Sequence, residues 1–352
     1  MSQSLRARDM GLACGSLPTG PRNSLSDVPG VTVGHRTLNH GDLRTGVTAI
    51  LPHAGNLYRE KPIAAVHVLN GFGKSAGLVQ VEELGTLETP ILLTNTLSVG
   101  TCATALVRHA VAANPDIGRE TATVNPLVFE CNDGWLNDIQ ALAVAEEDVR
   151  IALDAAAPDF AVGAVGAGCG MSTFGFKGGI GTSSRRLTLD DRDFHLGVLV
   201  LSNFGRAGDL RLPDGTRVSP DMAKAPVLET EKGSIIIIAA TDIPLSDRQL
   251  KRVIRRSGVG LARLGSFWGH GSGDIALGFT TGNIVHHDEE AGLVEQCVLN
   301  ENRIDLLFEA MADATQEAIL DALAAAGPMT GRDGHHCPGL SDALKHLSSR
   351  KA

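Results

Sequence analysis

The chain has 352 residues, of which 43% are hydrophobic and 20% charged, a composition typical of a globular protein with a sizeable core. Its net charge of −9 argues against nucleic acid as a partner, because an acidic surface repels phosphate. It lacks a run of ~18 apolar residues that could span a membrane and the apolar core of a signal peptide, so we expect a cytoplasmic protein with no membrane contact. It also lacks CxxC pairs, and we expect its cysteines to be reduced.

The first part of the chain alternates between β-prone and helical segments. Residues 1–25 are predicted to form an irregular arm. Short apolar runs with glycine or asparagine at their ends then indicate strands, at residues 30–35, 46–51, 64–69 and 90–95. Ser98 is placed as the N-cap of a helix that extends to about Ala113.

The second part contains the most strongly β-prone run, residues 234–240, which follows a polar loop or linker at 206–232. Ser246 and Gln249 suit a capping box that begins a helix over 246–262. The remaining predicted elements are strands at 196–201 and 274–279 and an amphipathic helix at 303–325 that ends before Gly327 and Pro328. This mixed order indicates a layered α/β or α+β fold.

The junction of Gly233 and Ser234 is the first candidate for chemistry. A serine hydroxyl needs a general base to act as a nucleophile. A chain break between these residues would create an α-amino group on Ser234, and its pKa of about 7.7–8.0 suits that task. Glycine before the serine eases the backbone distortion that such a break requires. Because Gly-Ser is also common where a loop enters a strand, the residues alone leave both interpretations open.

Other motifs suggest different chemistry. Residues 73–77 match the G-x-S-x-G nucleophile elbow of α/β-hydrolases, with Ser75 as nucleophile and His270 or His335 as a possible base. The glycines at 163–170 fit no nucleotide-binding pattern. The histidines at 286–287 and 335–336 are interpreted as parts of solvated loops, because adjacent residues on an extended chain point apart. No metal site is therefore predicted.

Nine segments spread over nearly the whole chain carry a resemblance to a known family. They are residues 27–35, 69–74, 88–100, 130–134, 176–182, 202–205, 233–234, 271–274 and 329–334. In this order they resemble the DmpA-type L-aminopeptidase/D-amidase-esterase family, which includes β-aminopeptidases. The resemblance implies an α+β, four-layer αββα fold of the N-terminal nucleophile hydrolase type. It also implies one domain, 1–352, that cuts itself into an α-chain, 1–233, and a β-chain, 234–352, and a homo-oligomer of such αβ pairs.

The resemblance assigns roles to individual residues. Ser234 matches the nucleophile and Asn203 the oxyanion-stabilising asparagine, although an asparagine after a strand is also a common turn residue. Ser272 and Asp274 match a pair that orients the α-amine, and one intervening residue on a strand puts them on one face. Lys177 resembles a lysine whose charge would keep that amine in its free-base form.

Two further residues are assigned to the substrate. Glu130 resembles the acidic residue that receives the substrate's ammonium group, and Asn132 occupies a pocket position where relatives carry an aromatic residue. The predicted function is hydrolysis of N-terminal aminoacyl amide or ester bonds in small peptides and amides, without a metal or other cofactor. The alternatives are an esterase that uses Ser75 and a non-catalytic homologue that binds small molecules.

Overall fold

Two β-sheets account for most of the extended chain in the computed structural model, which describes residues 5–220 and 233–351, with side chains to residue 345. The strands in chain order are β1 Thr32–His40, β2 Leu43–Leu51, β3 Glu60–Gly71, β4 Ile91–Asn95, β5 Leu127–Cys131, β6 Ser172–Thr173, β7 Phe176–Lys177, β8 Gly179–Leu189, β9 Arg192–Asn203, β10 Ser234–Thr241, β11 Gly273–His286, β12 Met329–Thr330 and β13 His336–Cys337. The helices are α1 Leu78–Leu84, α2 Val99–Ala113, α3 Glu146–Asp154, α4 Asp247–Ile254, α5 Ser257–Arg263, α6 Asp305–Ala325 and α7 Leu340–Lys351.

The two large sheets have different strand orders. The first contains four strands in the order β1-β2-β4-β5, and the second contains five in the order β3-β11-β10-β9-β8. Strand β10 lies at the centre of the second sheet, antiparallel to β9 and parallel to β11. A central strand is covered on both faces, which explains why four consecutive isoleucines begin after Ser234.

Three buried clusters separate four layers. Ile236 and Ile238 of β10 belong to the cluster between the two sheets, whereas Ile235 and Ile237 pack towards α4, α5 and α6. A third cluster joins the outer face of the four-stranded sheet to α2 and α3. The order of layers is thus helices, sheet, sheet, helices, which confirms the predicted α+β, αββα fold.

Helix α6 corresponds to the amphipathic helix predicted at 303–325, and it is buried over most of its length. Residues 310–324 are all buried, because β8, β9 and α5 pack against the helix and the N-terminal arm also contacts it. Arg6 binds Asp321 at 2.7 Å and Arg8 binds Glu317 at 2.6 Å. These ion pairs with the arm give partners to Asp321 and Glu317, two acidic residues at buried positions of α6.

Two helix boundaries also differ from the sequence-based expectation. The capping box of Ser246 and Gln249 is present, but the predicted helix 246–262 is divided into α4 and α5. The second piece packs against α6 through Gly260, where a Cβ would lie 2.8 Å from a main-chain oxygen. Helix α2 begins after Ser98 as predicted, but the Ser98 side chain makes no capping hydrogen bond, and Asn95 caps the 3-10 turn Thr96–Ser98 that precedes the helix.

The predicted strands at 30–35, 46–51, 64–69, 90–95, 196–201, 234–240 and 274–279 correspond to β1–β4 and β9–β11. Of the predicted linker, residues 206–220 contain no helix or strand longer than a single bridge, and residues 221–232 lie outside the described residues. Among the described residues, no helix combines the length and apolar character that crossing a bilayer requires.

Candidate active site

Ser234 occupies the first position of β10, at the edge where the two sheets meet. It is 5% exposed and lies in register with Asn203 of β9 and Gly273 of β11. Because side chains alternate along a strand, its hydroxyl shares the inter-sheet side of Ile236. The Oγ atom accepts a hydrogen bond of 3.2 Å from the main-chain N–H of Gly273.

The residue before Ser234 can only be glycine in this packing. A Cβ on Gly233 would lie 2.3 Å from the main-chain oxygen of Asn203, well inside van der Waals contact. The chain therefore passes closely over the end of β9 immediately before it enters β10. This close approach gives a structural reason for the Gly-Ser pair that the sequence alone did not provide.

The amide of Asn203 is held in one orientation by two main-chain groups. Its Oδ1 accepts a hydrogen bond of 2.8 Å from the N–H of Ser172, and its Nδ2 donates one of 2.9 Å to the carbonyl of Asn132. The second N–H of Nδ2 has no acceptor among the described residues. Asn203, which is 8% exposed, thus presents one free donor beside Ser234, its partner in the strand register.

Ser272 and Asp274 flank Gly273 and form a hydrogen-bonded pair. The hydroxyl of Ser272 donates to Oδ1 of Asp274 at 2.6 Å, and both side chains are buried. Asp274 shares a side of the sheet with Ala276, which faces the α4–α6 layer. The pair therefore lies on the opposite side of the sheet from the hydroxyl of Ser234, next to the main chain that leads into that residue.

Glu130 lies at the end of β5, with only 3% of its surface exposed. Its Oε1 accepts a hydrogen bond of 2.7 Å from the N–H of Lys74, and its Oε2 accepts one from the hydroxyl of Thr96. Both donors are neutral, and no salt bridge to this carboxylate occurs among the described residues. A Cβ on Gly73 would lie 3.5 Å from Oε1 and 3.9 Å from Cα of Gly273, so one glycine separates Glu130 from the Ser234 site.

Asn132 contributes to the site through its main chain. Its side chain is exposed and accepts a hydrogen bond of 2.9 Å from the N–H of Gly134, while its carbonyl holds Asn203. Three large apolar side chains are exposed within three residues of Gly73, Thr96 and Asn132 respectively: Phe72, Leu97 and Trp135. Leu97 follows Thr96, which donates to Glu130, and Phe72 precedes Gly73, where a Cβ would lie 3.5 Å from Oε1 of Glu130.

Lys177 is fully buried and makes different contacts from those expected. Its Nζ donates to the carbonyls of Gly168, Met171 and Gly178 at 3.1, 2.8 and 2.7 Å. All three N–H groups are thereby used, and no hydrogen bond to Ser234 occurs among the described residues. Burial lowers the pKa of this ammonium group to about 8. Lys177 holds together the loop whose Ser172 N–H orients Asn203, a role that sequence reasoning missed.

The competing motifs show no catalytic contacts among the described residues. Ser75 has a buried Oγ with no hydrogen-bond partner among the described residues, so no histidine acts on it as a base. The ring of His335 stacks on Trp135 at 3.8 Å, and that of His287 packs on Tyr58 at 4.6 Å. Within residues 5–220 and 233–351, no group of three or more potential metal ligands comes together.

Comparisons with known proteins agree on one family. The model of peptidase family S58 matches residues 23–337. The chain is 37% identical, over 96% of its length and 90% of the relative's, to beta-peptidyl aminopeptidase BapA of Sphingosinicella microcystinivorans. Among solved structures it resembles the PH0078 protein of Pyrococcus horikoshii, with 46% identity, 99% of both chains covered and a TM-score of 0.92. It also resembles the L-aminopeptidase D-Ala-esterase/amidase of Ochrobactrum anthropi, described as a variant of the Ntn hydrolase fold, with 35% identity, 98% of both chains covered and a TM-score of 0.89.

Proposed function

The chain belongs to peptidase family S58, and on that premise we propose that it is a self-processing serine aminopeptidase/amidase whose nucleophile is Ser234. The observation that carries the proposal is the setting of this serine. It follows a glycine that no other residue could replace, and it begins a central strand. It also lies in register with Asn203, whose amide has one donor to spare.

The first reaction in this proposal is self-cleavage. Oγ of Ser234 attacks the carbonyl carbon of Gly233, the peptide bond breaks, and the nitrogen of Ser234 takes the proton that leaves Oγ. Water then hydrolyses the resulting ester. The products are an α-chain of residues 1–233 and a β-chain of residues 234–352 that remain packed as one domain.

The second reaction is hydrolysis of the substrate. The α-amine of Ser234 acts as the general base, since its reference pKa of about 7.7–8.0 is close to working pH. Oγ attacks the scissile carbonyl, and the free N–H of Asn203 stabilises the oxyanion. Ser272 and Asp274 orient the amine, and water releases the acyl group by the same route. This scheme requires no metal or organic cofactor.

Glu130 defines the kind of substrate in this proposal. A buried carboxylate whose partners are neutral donors is suited to bind the ammonium group of a substrate's first residue. The exposed side chains of Phe72 and Leu97 favour an acyl group with an apolar side chain. The carboxylate of Glu130 disfavours an acyl group with an acidic side chain. We therefore propose small peptides, aminoacyl amides and esters as substrates, of a cytoplasmic enzyme that assembles as a homo-oligomer of αβ pairs.

The test is a pair of serine variants. Ser234→Ala is expected to yield one uncut band on denaturing electrophoresis and no activity, whereas the parent yields two bands. Ser75→Ala is expected to be cut and active. The esterase alternative predicts the reverse result, with activity lost only in Ser75→Ala. A non-catalytic homologue predicts that even the parent stays uncut and inactive.

Substrate preference is tested with chromogenic anilides of L-α-, β- and D-amino acids. Apolar acyl groups are expected to be cleaved faster than acidic ones of similar size. The matched pair of Glu130→Gln and Glu82→Gln separates ammonium binding from general charge effects, because Glu82 lies on the surface in a pair with Lys251. Only Glu130→Gln should raise KM for substrates with a free amine.

A further inference from the structure

One main-chain N–H lies between the two oxygen atoms that react in the proposed self-cleavage. The N–H of Gly273 is 3.2 Å from the carbonyl oxygen of Gly233 and 3.2 Å from Oγ of Ser234. Both contacts belong to a continuous chain in which residue 233 is bonded to residue 234. The same donor therefore contacts the nucleophile and the oxygen of the carbonyl that the nucleophile attacks.

We propose that this N–H of Gly273 is the oxyanion donor of self-cleavage, an inference that rests on the proposed function. As Oγ of Ser234 bonds to the carbonyl carbon of Gly233, the electron pair of the C=O π bond moves to the oxygen that Gly273 already contacts. The intermediate collapses when the carbon–nitrogen bond breaks and the nitrogen takes the proton from Oγ. The products of this step are an ester at Oγ and a free α-amine.

The surrounding contacts favour Gly273 over Asn203 for this step. The strand that carries Gly273 lies between β3 and β10, so its N–H is held in place before the reaction. The amide of Asn203 is fixed instead by Ser172 and Asn132, and its one spare N–H serves the substrate in the cut enzyme. The two reactions at Ser234 thus use different donors.

The packing also explains why a glycine separates Ser272 from Asp274. A Cβ at position 273 would lie 3.1 Å from Oγ of Ser234 and 2.7 Å from the main-chain oxygen of Phe72. Any side chain there would displace either the nucleophile or the neighbouring strand end. The absence of a Cβ lets the N–H approach both reacting oxygens.

The experiment removes this N–H and adds no atom to the side chain. Cell-free synthesis can place glycolic acid at position 273, which replaces the amide with an ester. Loss of one oxyanion donor is expected to slow the appearance of the 1–233 and 234–352 fragments by about 10²–10³-fold. Fragment masses distinguish this reaction from hydrolysis of the introduced ester, which would cut after Ser272.

The control is glycolic acid at Gly278, a glycine of the same strand that pairs with Ala65 and Ala239. This control is expected to be cut at nearly the parent rate. Equal rates for the two esters would overturn the role of Gly273 and leave the proposed function standing. A parent chain that is never cut would instead refute the proposed function itself.

A second measurement covers the case in which the ester at 273 does not fold. A ¹³C=¹⁸O label on Gly233 in the uncut Ser234→Ala protein reports hydrogen bonding to that carbonyl by infrared absorption. The proposal predicts a lower frequency in the folded protein than for a solvent-shielded carbonyl without a donor. A frequency typical of a free carbonyl would overturn it.

Discussion

Replacing Asn203 with alanine removes the donor proposed for substrate hydrolysis without touching the nucleophile. Loss of one oxyanion donor typically lowers kcat by about 10²–10³-fold, or roughly 3–4 kcal/mol of transition-state stabilisation. The same change leaves the N–H of Ser172 and the carbonyl of Asn132 without partners, which should lower the free energy of unfolding by about 2 kcal/mol. KM should change little, because the donor acts on charge that develops only in the transition state.

The assay is steady-state hydrolysis of an aminoacyl anilide by the cut enzyme, with unfolding by denaturant measured in parallel. Asn283→Ala is the matched control, because its amide also donates to two carbonyls, those of Leu245 and Cys297, at another place in the fold. The control should lose stability and keep kcat. An Asn203→Ala enzyme with the parent's kcat would refute the assignment, and so would one in which only KM changes.

Three further predictions concern stability, pH and metals. Lys177→Met should lower the free energy of unfolding by at least about 3 kcal/mol, because three buried carbonyls lose their donor, whereas Lys345→Met at an exposed ion pair should not. Burial raises the pKa of Asp133 to about 7 from 3.8, so the folded protein holds this proton more strongly than the unfolded chain. The stabilisation that this proton gives the folded protein is complete below pH ~4 and is lost as the pH rises to about 7. The loss in the free energy of unfolding amounts to roughly 4 kcal/mol at most. Asp133→Asn should flatten the curve of unfolding free energy against pH in this range. Activity should survive dialysis against EDTA, and a strong loss that zinc restores would contradict the metal-free mechanism.

Local sequence patterns predicted the elements that depend on interactions between residues close together in the chain. The capping box of Ser246 and Gln249 forms as expected, and the isoleucine run after Ser234 forms the expected strand. Both follow from propensity and capping, which act between near neighbours. The burial of α6 was not predictable in this way. It depends on long-range contacts such as those of Arg6 and Arg8, whose partners on the helix are more than 300 residues away in the sequence.

The site shows the same division. The segment around Gly273 drew attention through Ser272 and Asp274, whereas the glycine itself contacts Oγ of Ser234 through a main-chain N–H that has no signature in the sequence. The contacts of Lys177 are likewise to main-chain carbonyls, so a lysine in a glycine-rich segment gave no sign of them. The side chains proposed to act could be named from the sequence, whereas the main-chain groups that contact them were found only in the structure.

The central claim is that the working enzyme has Ser234 as the first residue of a separate chain. Mass spectrometry and Edman degradation of a purified sample, with the active fraction titrated on the same sample, address it directly. We predict two polypeptides, with Ser-Ile-Ile-Ile as the N-terminal sequence of the smaller one, in proportion to the activity. Full activity in a sample that contains only the intact 352-residue polypeptide would contradict the account.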